Sequence, residues 1–363
     1  MSASDPNAAL EPLRRQIDAI DQQLVELLNQ RARVVVEIGK VKRDGQTPIY
    51  APDREQAVLA KVRQHNKGPL PTTCLEAIWR ELMSGSFALE RPLRIGYLGP
   101  PGSFSHLAAR RKFGASVVYH PQDSIRHVFD ELARDHIDLG LAPIENSSHG
   151  TVMETLDAFL DSGARVCAEV LINVHLNLLA NCPLNQITRI YSKAEALSQC
   201  RIWLEQHLPN AELMAAPSTS KAVEHAAHEP NVAAVGTELA GELFSVKVLR
   251  HGIEDNPNNI TRFFVIAHES PHPTGEDKTA IMFTAAHQSG ALANVLDVFR
   301  DHGLNLTQID KRPSRRVNWE YFFFVDFDGH VADEPVRKAI LEARKYCLQI
   351  NVLGSFPKAR EVL

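Results

Sequence analysis

An unbroken helical run near the start of this chain constrains its fold most. Leu13–Lys42 contains no proline and one glycine, Gly39. Leu13, Ile17, Ile20, Leu24, Leu27, Leu28, Val35 and Ile38 recur at the three- and four-residue spacing of one helix face. A helix of about 30 residues spans ~45 Å. That exceeds the width of a compact unit of under ~100 residues. The sequence that follows offers only shorter helices, about Pro52–His65 and Thr72–Glu90. The spacing therefore predicts a three-helix unit whose long helix is covered by a second copy, an intertwined helical dimer. The pattern leaves a dimer or a tetramer of the whole chain open.

Two cations interrupt the apolar stripe. Arg31 lies seven residues after Leu24 and four before Val35; Lys42 lies seven after Val35 and four after Ile38. At ~100° per residue both fall in the middle of the apolar face. Burying a lone charge costs several kcal/mol, so each needs an anionic partner. That partner is either a carboxylate across a subunit seam, with snorkelling at the helix end, or a dicarboxylate ligand inside the bundle. An ordinary seam would place Leu or Val at such positions.

At "ERPLRIGYLG" the pattern changes. Strands and helices alternate from Leu93 to "ITRFFVIA", which ends at Ala267. This alternation predicts a mainly parallel sheet. "ARVCAEVLINVHLNLLA" is too long for one strand and is read as crossing between two α/β lobes with a cleft between them. "KAEALSQCRIWLEQH" reads as one helix. The polar stretch "HESPHPTGEDK" is a linker. After it comes βαββαβ, a ferredoxin-like module. The fold class is thus multidomain, divided as residues 1–91, 92–269 and 270–363.

Composition narrows the function. Of the 363 residues 44% are hydrophobic and 23% charged, and the net charge is −5. Nothing global favours nucleic acid, and no run approaches the ~20 apolar residues of a membrane span. Five scattered cysteines without a C-x-x-C point to reduced thiols. With no signal-peptide pattern in "MSASDPNAALEPL", a cytoplasmic protein is expected. His225 and His228 have metal-pair spacing but no third ligand nearby, so no metal is assigned.

Two polar motifs end strands where open parallel sheets bind ligands: "GPPGSFSH" (Gly99–His106) and "PIENSSHG" (Pro143–Gly150). A third stretch, "PNNITRFFVI", sets Thr261 and Arg262 inside an apolar strand. Threonine suits a strand. A buried arginine needs a partner, either a ligand carboxylate or a salt bridge closing the lobes.

These runs carry three resemblances. Residues 10–90 resemble the all-helical chorismate mutases through Arg14, Arg31 and Lys42, the "DRE" of Asp53, Arg54 and Glu55, and Ser86 and Glu90. The resemblance implies a Claisen rearrangement of chorismate to prephenate without cofactor or metal. It gives Arg14 (from the partner subunit), Arg31 and Arg54 to the carboxylates, Lys42 and Glu90 to the ether oxygen, and Glu55 to the ring hydroxyl. Ser86 matches the family's serine. Ala51 stands where some relatives carry aspartate, and Glu90 where enteric relatives carry glutamine.

Residues 93–268 resemble prephenate dehydratase through "GPPGSFSHLAA", "PIENSSHGTV", "STSKAV" and "NITRFFVI". This implies a two-lobed fold like the periplasmic binding proteins and decarboxylative dehydration of prephenate to phenylpyruvate. Thr261 is the implied catalytic residue. Ser103, Ser105, Asn146, Ser147, Thr219 and Ser220 are implied neutral donors to substrate, with Arg262 and Phe263 beside them. His149 and Lys221 depart from the usual pattern.

The last module resembles an ACT domain through "GAL" (Gly290, Ala291, Leu292) and "NLTQIDKRP", which brings in Asn305 and Leu306. Asp310-Lys311 replaces the family's Glu-Ser. The resemblance implies L-phenylalanine binding and feedback inhibition; the alternative is a purely structural dimerisation module. Together the three imply a bifunctional enzyme of phenylalanine biosynthesis.

Overall fold

The computed structural model describes residues 6–44, 48–286, 288–313 and 321–363. The expected strand start at Trp319 lies outside them. The first unit is three helices, α1 (Pro6–Asp44), α2 (Pro52–His65) and α3 (Thr72–Glu90). The shorter two match the expected bounds. α1 begins earlier than its apolar spacing shows and runs through Pro12. It packs along α3, and Val35 is buried there. Its outward stripe is not covered: Leu13, Ile17, Ile20, Leu24, Leu27 and Leu28 are 39–59% exposed. An Arg63–Glu76 ion pair ties α2 to α3.

The second unit has two lobes. The first contains β1 (Arg94–Leu98), α4 (Phe104–Phe113), β2 (Val118–Gln122), α5 (Ile125–Ala133), β3 (Leu139–Asn146), β4 (Gly150–Thr151), α6 (Met153–Leu160) and β5 (Arg165–Asn173). The second contains β6 (Asn177–Ala180), β7 (Arg189–Ser192), α7 (Ala194–Gln199), α8 (Arg201–His207), β8 (Glu212–Ala215), α9 (Thr219–His228), β9 (Val232–Gly236), α10 (Glu238–Phe244) and β10 (Val248–Arg250). β11 (Ile260–Ala267) returns to the first lobe. The sheet orders are β2-β1-β3-β11-β5, with β4 on β3, and β10-β6-β9-β7-β8. β1, β2 and β3 are parallel, whereas β11 runs antiparallel between β3 and β5. The long run after Ala164 does divide between lobes, as β5 and β6. Side-chain oxygens of Ser103, Ser124, Ser218 and Thr237 cap α4, α5, α9 and α10.

One expected helix is broken. α7 stops at Cys200 and α8 restarts, because Asp255, from the segment entering β11, accepts hydrogen bonds from Ile202 N and Trp203 N. A distant carboxylate thus supplies the N-terminal partners that α8 lacks locally.

The third unit is β12 (Asp277–Ala285), α11 (Ala291–Asp301), β13 (Leu306–Pro313), β14 (Tyr321–Asp328), α12 (Glu334–Ala343) and β15 (Cys347–Pro357). Its antiparallel sheet has the order β13-β14-β12-β15. One face carries α11 and α12, with Phe299 of α11 packing on Phe283 and Phe327 of the sheet. The other shares a core with the first lobe: Met282, Phe324, Leu353 and Phe356 pack with Phe159, Phe264 and Ile266. Gly354 lies against the backbone of Val166 in β5, where a Cβ would collide. The third unit is therefore fused to the first lobe by a common apolar core. Among the described residues no helix is long and apolar enough to cross a membrane.

Candidate active sites

Two separate clusters hold the expected residues. In the helical unit Arg31 and Lys42 leave the stripe and meet α3. Arg31 Nη1 donates to Ser86 Oγ at 2.8 Å, and Ser86 Oγ donates onward to Leu82 O at 2.7 Å. Lys42 Nζ donates to Glu90 Oε2 at 3.0 Å and to Ile49 O at 3.1 Å. Lys42 thus reaches the anionic partner expected of it on α3, whereas Arg31, likewise only partly buried, meets a neutral hydroxyl there. Lys42 and Glu90 line a cavity of about 630 Å³ with Tyr50, Asp53 and Asp138.

The remaining expected residues lie elsewhere. Arg54 is exposed. Arg14 is exposed on α1, 3.7 Å from Glu11. Glu55 faces the junction with the α/β unit, where its Oε2 accepts from Lys112 Nζ at 2.9 Å and from Tyr50 OH at 2.8 Å. Burial, reinforced by Glu55, pushes the Tyr50 phenol well above its ordinary pKa. Asp138 sits at the same junction and accepts from the side chains of Arg91 and Arg94 and from Arg94 N. Burial works to raise its carboxyl pKa, but these bonds outweigh it and hold the group below the ordinary value.

The second cluster lies where β3 and β11 pair. Thr261 sits opposite Asn146. Asn146 Nδ2 donates to Thr261 Oγ1 at 2.8 Å and to Asn259 Oδ1 at 2.7 Å. Asn146 Oδ1 accepts from Ser148 N at 2.9 Å and His149 N at 3.0 Å. Backbone N–H groups only donate, so the amide has one orientation. It follows that Thr261 Oγ1 accepts from Asn146 and keeps its own proton for another acceptor. Ser147 Oγ accepts from Ile260 N at 2.9 Å and donates to Asn258 O at 3.3 Å, locking this hairpin to β11.

Two further hydroxyls, those of Ser220 and Thr237, clasp the two lobes, while that of Ser103 stays within the first. Ser103 Oγ donates to Leu98 O at 3.0 Å, Ser220 Oγ donates to Pro101 O, and Thr237 Oγ1 donates to Gly102 O at 2.6 Å. Ser105 and Thr219 are buried beside them. His106 accepts from Gly102 N at 3.1 Å and stacks on Tyr97 at 4.7 Å. Desolvation, helped by Arg110, lowers its pKa to about 4, so it is a neutral acceptor holding the turn. His106, Thr237 and Asn259 went unassigned in the sequence. Asn259 and His106 lie within the quoted motifs, but only the fold shows what they touch.

Two expectations are corrected. Arg262 neither closes the lobes nor faces the Thr261 cluster. Neighbouring strand residues point to opposite faces, and Arg262 enters the shared core with the third unit. There Nε donates to Glu169 at 2.7 Å, Nη1 donates to Gln308 at 2.6 Å, and Nη2 lies 2.7 Å from Asp326. Burial works against its charge, but the two carboxylates outweigh that and raise its pKa. Phe263 is 1% exposed and belongs to the core with Tyr97 and Ile172. A side chain so enclosed contacts no substrate.

In the third unit Gly290 caps α11 in the left-handed conformation (φ 80°), with buried Ala291 and partly buried Leu292 following. Asn305 donates to Asp328 Oδ2 at 3.2 Å, and Leu306 opens the edge strand β13.

Known proteins align with the same division. Residues 13–91 match the family chorismate mutase type II, and residues 95–271 match prephenate dehydratase. The bifunctional chorismate mutase/prephenate dehydratase of Aquifex aeolicus is 41% identical over 96% of this chain and 98% of its own length. The Pseudomonas aeruginosa protein of the same name is 41% identical with the same coverage. Among solved structures, prephenate dehydratase from Arthrobacter aurescens in complex with L-Phe superposes with a TM-score of 0.69 at 31% identity. It covers 74% of this chain and 90% of that one.

Proposed function

The chain belongs to the bifunctional chorismate mutase/prephenate dehydratase family, and from that premise we propose how its residues divide the two reactions and their control. The helical unit rearranges chorismate to prephenate, and the α/β unit converts prephenate to phenylpyruvate, CO₂ and water. The first reaction needs neither nucleophile nor metal. It needs the reactive conformer held and charge on the ether oxygen stabilised. Arg31 and Ser86 are assigned to a carboxylate, and Lys42, joined by Glu90 when that carboxyl is protonated, to the ether oxygen. Arg14 lies on the uncovered face of α1, within reach of a second copy. The exposed apolar stripe supports that copy being present, as an intertwined dimer.

In the dehydratase the C–O bond to the ring hydroxyl and the C–C bond to the carboxylate both break, and the ring becomes aromatic. The hydroxyl leaves only if hydrogen-bonded or protonated. The contact that carries this assignment is Asn146 Nδ2 to Thr261 Oγ1, because it leaves the threonine proton free for the leaving oxygen. Thr261→Ala is expected to abolish phenylpyruvate formation from prephenate while chorismate consumption stays intact. Substantial residual dehydration would refute the role.

The third unit, ferredoxin-like in topology, is read as an ACT domain that binds L-phenylalanine near Gly290–Leu292 and Asn305–Leu306 and inhibits the dehydratase. The L-Phe complex of the Arthrobacter aurescens protein supports this. Millimolar L-phenylalanine is expected to inhibit dehydration and raise Tm; if it does neither, the unit is structural only.

A further inference from the structure

We propose that Gln308 and Asp310 of the third unit are positioning residues for the dehydratase, completing the Thr261 site from the far side of its sheet. This rests on Thr261 being the catalytic residue. Three hydrogen bonds form one chain. Arg262 Nη1 donates to Gln308 Oε1 at 2.6 Å, Gln308 Nε2 donates to Asp310 Oδ2 at 2.7 Å, and Thr151 Oγ1 donates to Asp310 Oδ1 at 2.7 Å. A guanidinium only donates and a carboxylate only accepts, so the Gln308 amide has a single satisfactory orientation.

The two ends of this chain flank the catalytic pair. Arg262 follows Thr261 in β11. Thr151 follows Gly150, which pairs with Asn146, while Thr151 itself pairs with Glu145, the partner of Arg262. The cross-strand row Thr151–Glu145–Arg262 therefore borders the row Gly150–Asn146–Thr261. β4 is only two residues long, so it has little sheet pairing of its own. Asp310 is what joins it to the rest of the protein on this side. The alternation of β13 fits the same role. Gln308, Asp310 and Arg312 are partly buried, Thr307, Ile309 and Lys311 are exposed, and Arg312 donates to Asp157 of α6 at 2.7 Å. Every second side chain of β13 thus holds an element at this site: Gln308 holds β11, Asp310 holds β4 and Arg312 holds α6. A misplacement of about 1 Å at a reacting centre can cost ~100-fold in rate.

The full-length chain should be assayed with prephenate for dehydration and with chorismate for the rearrangement. Thr151→Val and Asp310→Ala are each expected to lower dehydratase kcat about tenfold, with KM within about twofold and mutase kcat unchanged. Asp310→Asn should lose less than Asp310→Ala, because its oxygen can still accept from Gln308 Nε2 while its NH₂ donates to the Thr151 hydroxyl. Thr151→Ser and Asp310→Glu, which keep the hydroxyl and the carboxylate, should restore most of the rate. Wild-type kcat in Thr151→Val and Asp310→Ala overturns the proposal. So does a loss confined to KM, or one that the Ser and Glu variants do not recover. If Asp310→Ala does not fold, the Thr151 pair decides. Thr261→Ala separates the layers: if it retains dehydration, the catalytic reading fails. If it is dead while the Thr151 and Asp310 variants are normal, only the positioning role fails.

Discussion

Asn146 makes the most specific chemical statement in the molecule. Its carbonyl is committed to two backbone N–H groups, so its NH₂ must face Thr261. Asn146→Asp reverses that relation. A carboxylate accepts only, so Thr261 would donate its proton to residue 146 rather than to the leaving hydroxyl that the proposed mechanism gives it. Dehydratase kcat is expected to fall about 100-fold, the magnitude of losing one catalytic hydrogen bond, and prephenate turnover measures it. A fall far smaller than this would mean that the threonine proton is directed elsewhere. The sequence pointed to Thr261 and Asn146 through motif position, yet it misplaced their neighbours. Phe263 is core, and Arg262 serves the interface with the third unit.

At the scale of elements, α1 is the helix whose packing the chain alone leaves unfinished. Its inner side is satisfied by α3 through Val35, Arg31 and Lys42, while its outer stripe is exposed. Burying a Leu side chain stabilises by about 1.5–3 kcal/mol, so six exposed apolar residues give a strong drive to pair. Leu24→Glu places a charge on that stripe, the seam of the proposed dimer. It is expected to shift the protein toward smaller species in sedimentation and to lower mutase kcat/KM more than about tenfold. Dehydratase turnover should be retained. The periodicity of α1 was legible because a helix displays its buried face every three to four residues. The break between α7 and α8 was not, because its cause, Asp255, lies 53 and 52 residues from the N–H groups it caps.

Across the whole molecule, charged contacts join the units. Lys112 meets Glu55, Arg91 meets Asp138, and Arg262 meets Asp326. Asp138 gives a pH test. Its pKa is lowered on folding, so its contribution is present above the ordinary carboxylate pKa and is lost as pH falls through the folded value. Asp138→Asn is expected to destabilise the protein by about 1 kcal/mol at neutral pH. The Tm difference from the parent should shrink as the pH drops below ~4. A difference independent of pH would mean that the cost is steric.

Sequence alone determined the order of units, the bounds of α2 and α3, the crossing between lobes, and the pairing of Lys42 with an anion. Those properties follow from short-range periodicity and from the cost of burying a lone charge. Tertiary structure alone decided who the partners are. Arg262 finds Glu169 and Gln308, 93 and 46 residues away, and Glu55 finds Lys112, 57 residues away. Periodicity shows that a side chain is buried, but the group it meets depends on apolar cores shared between units, that of the first lobe with the third unit for Arg262 and that of the first lobe with the helical unit for Glu55.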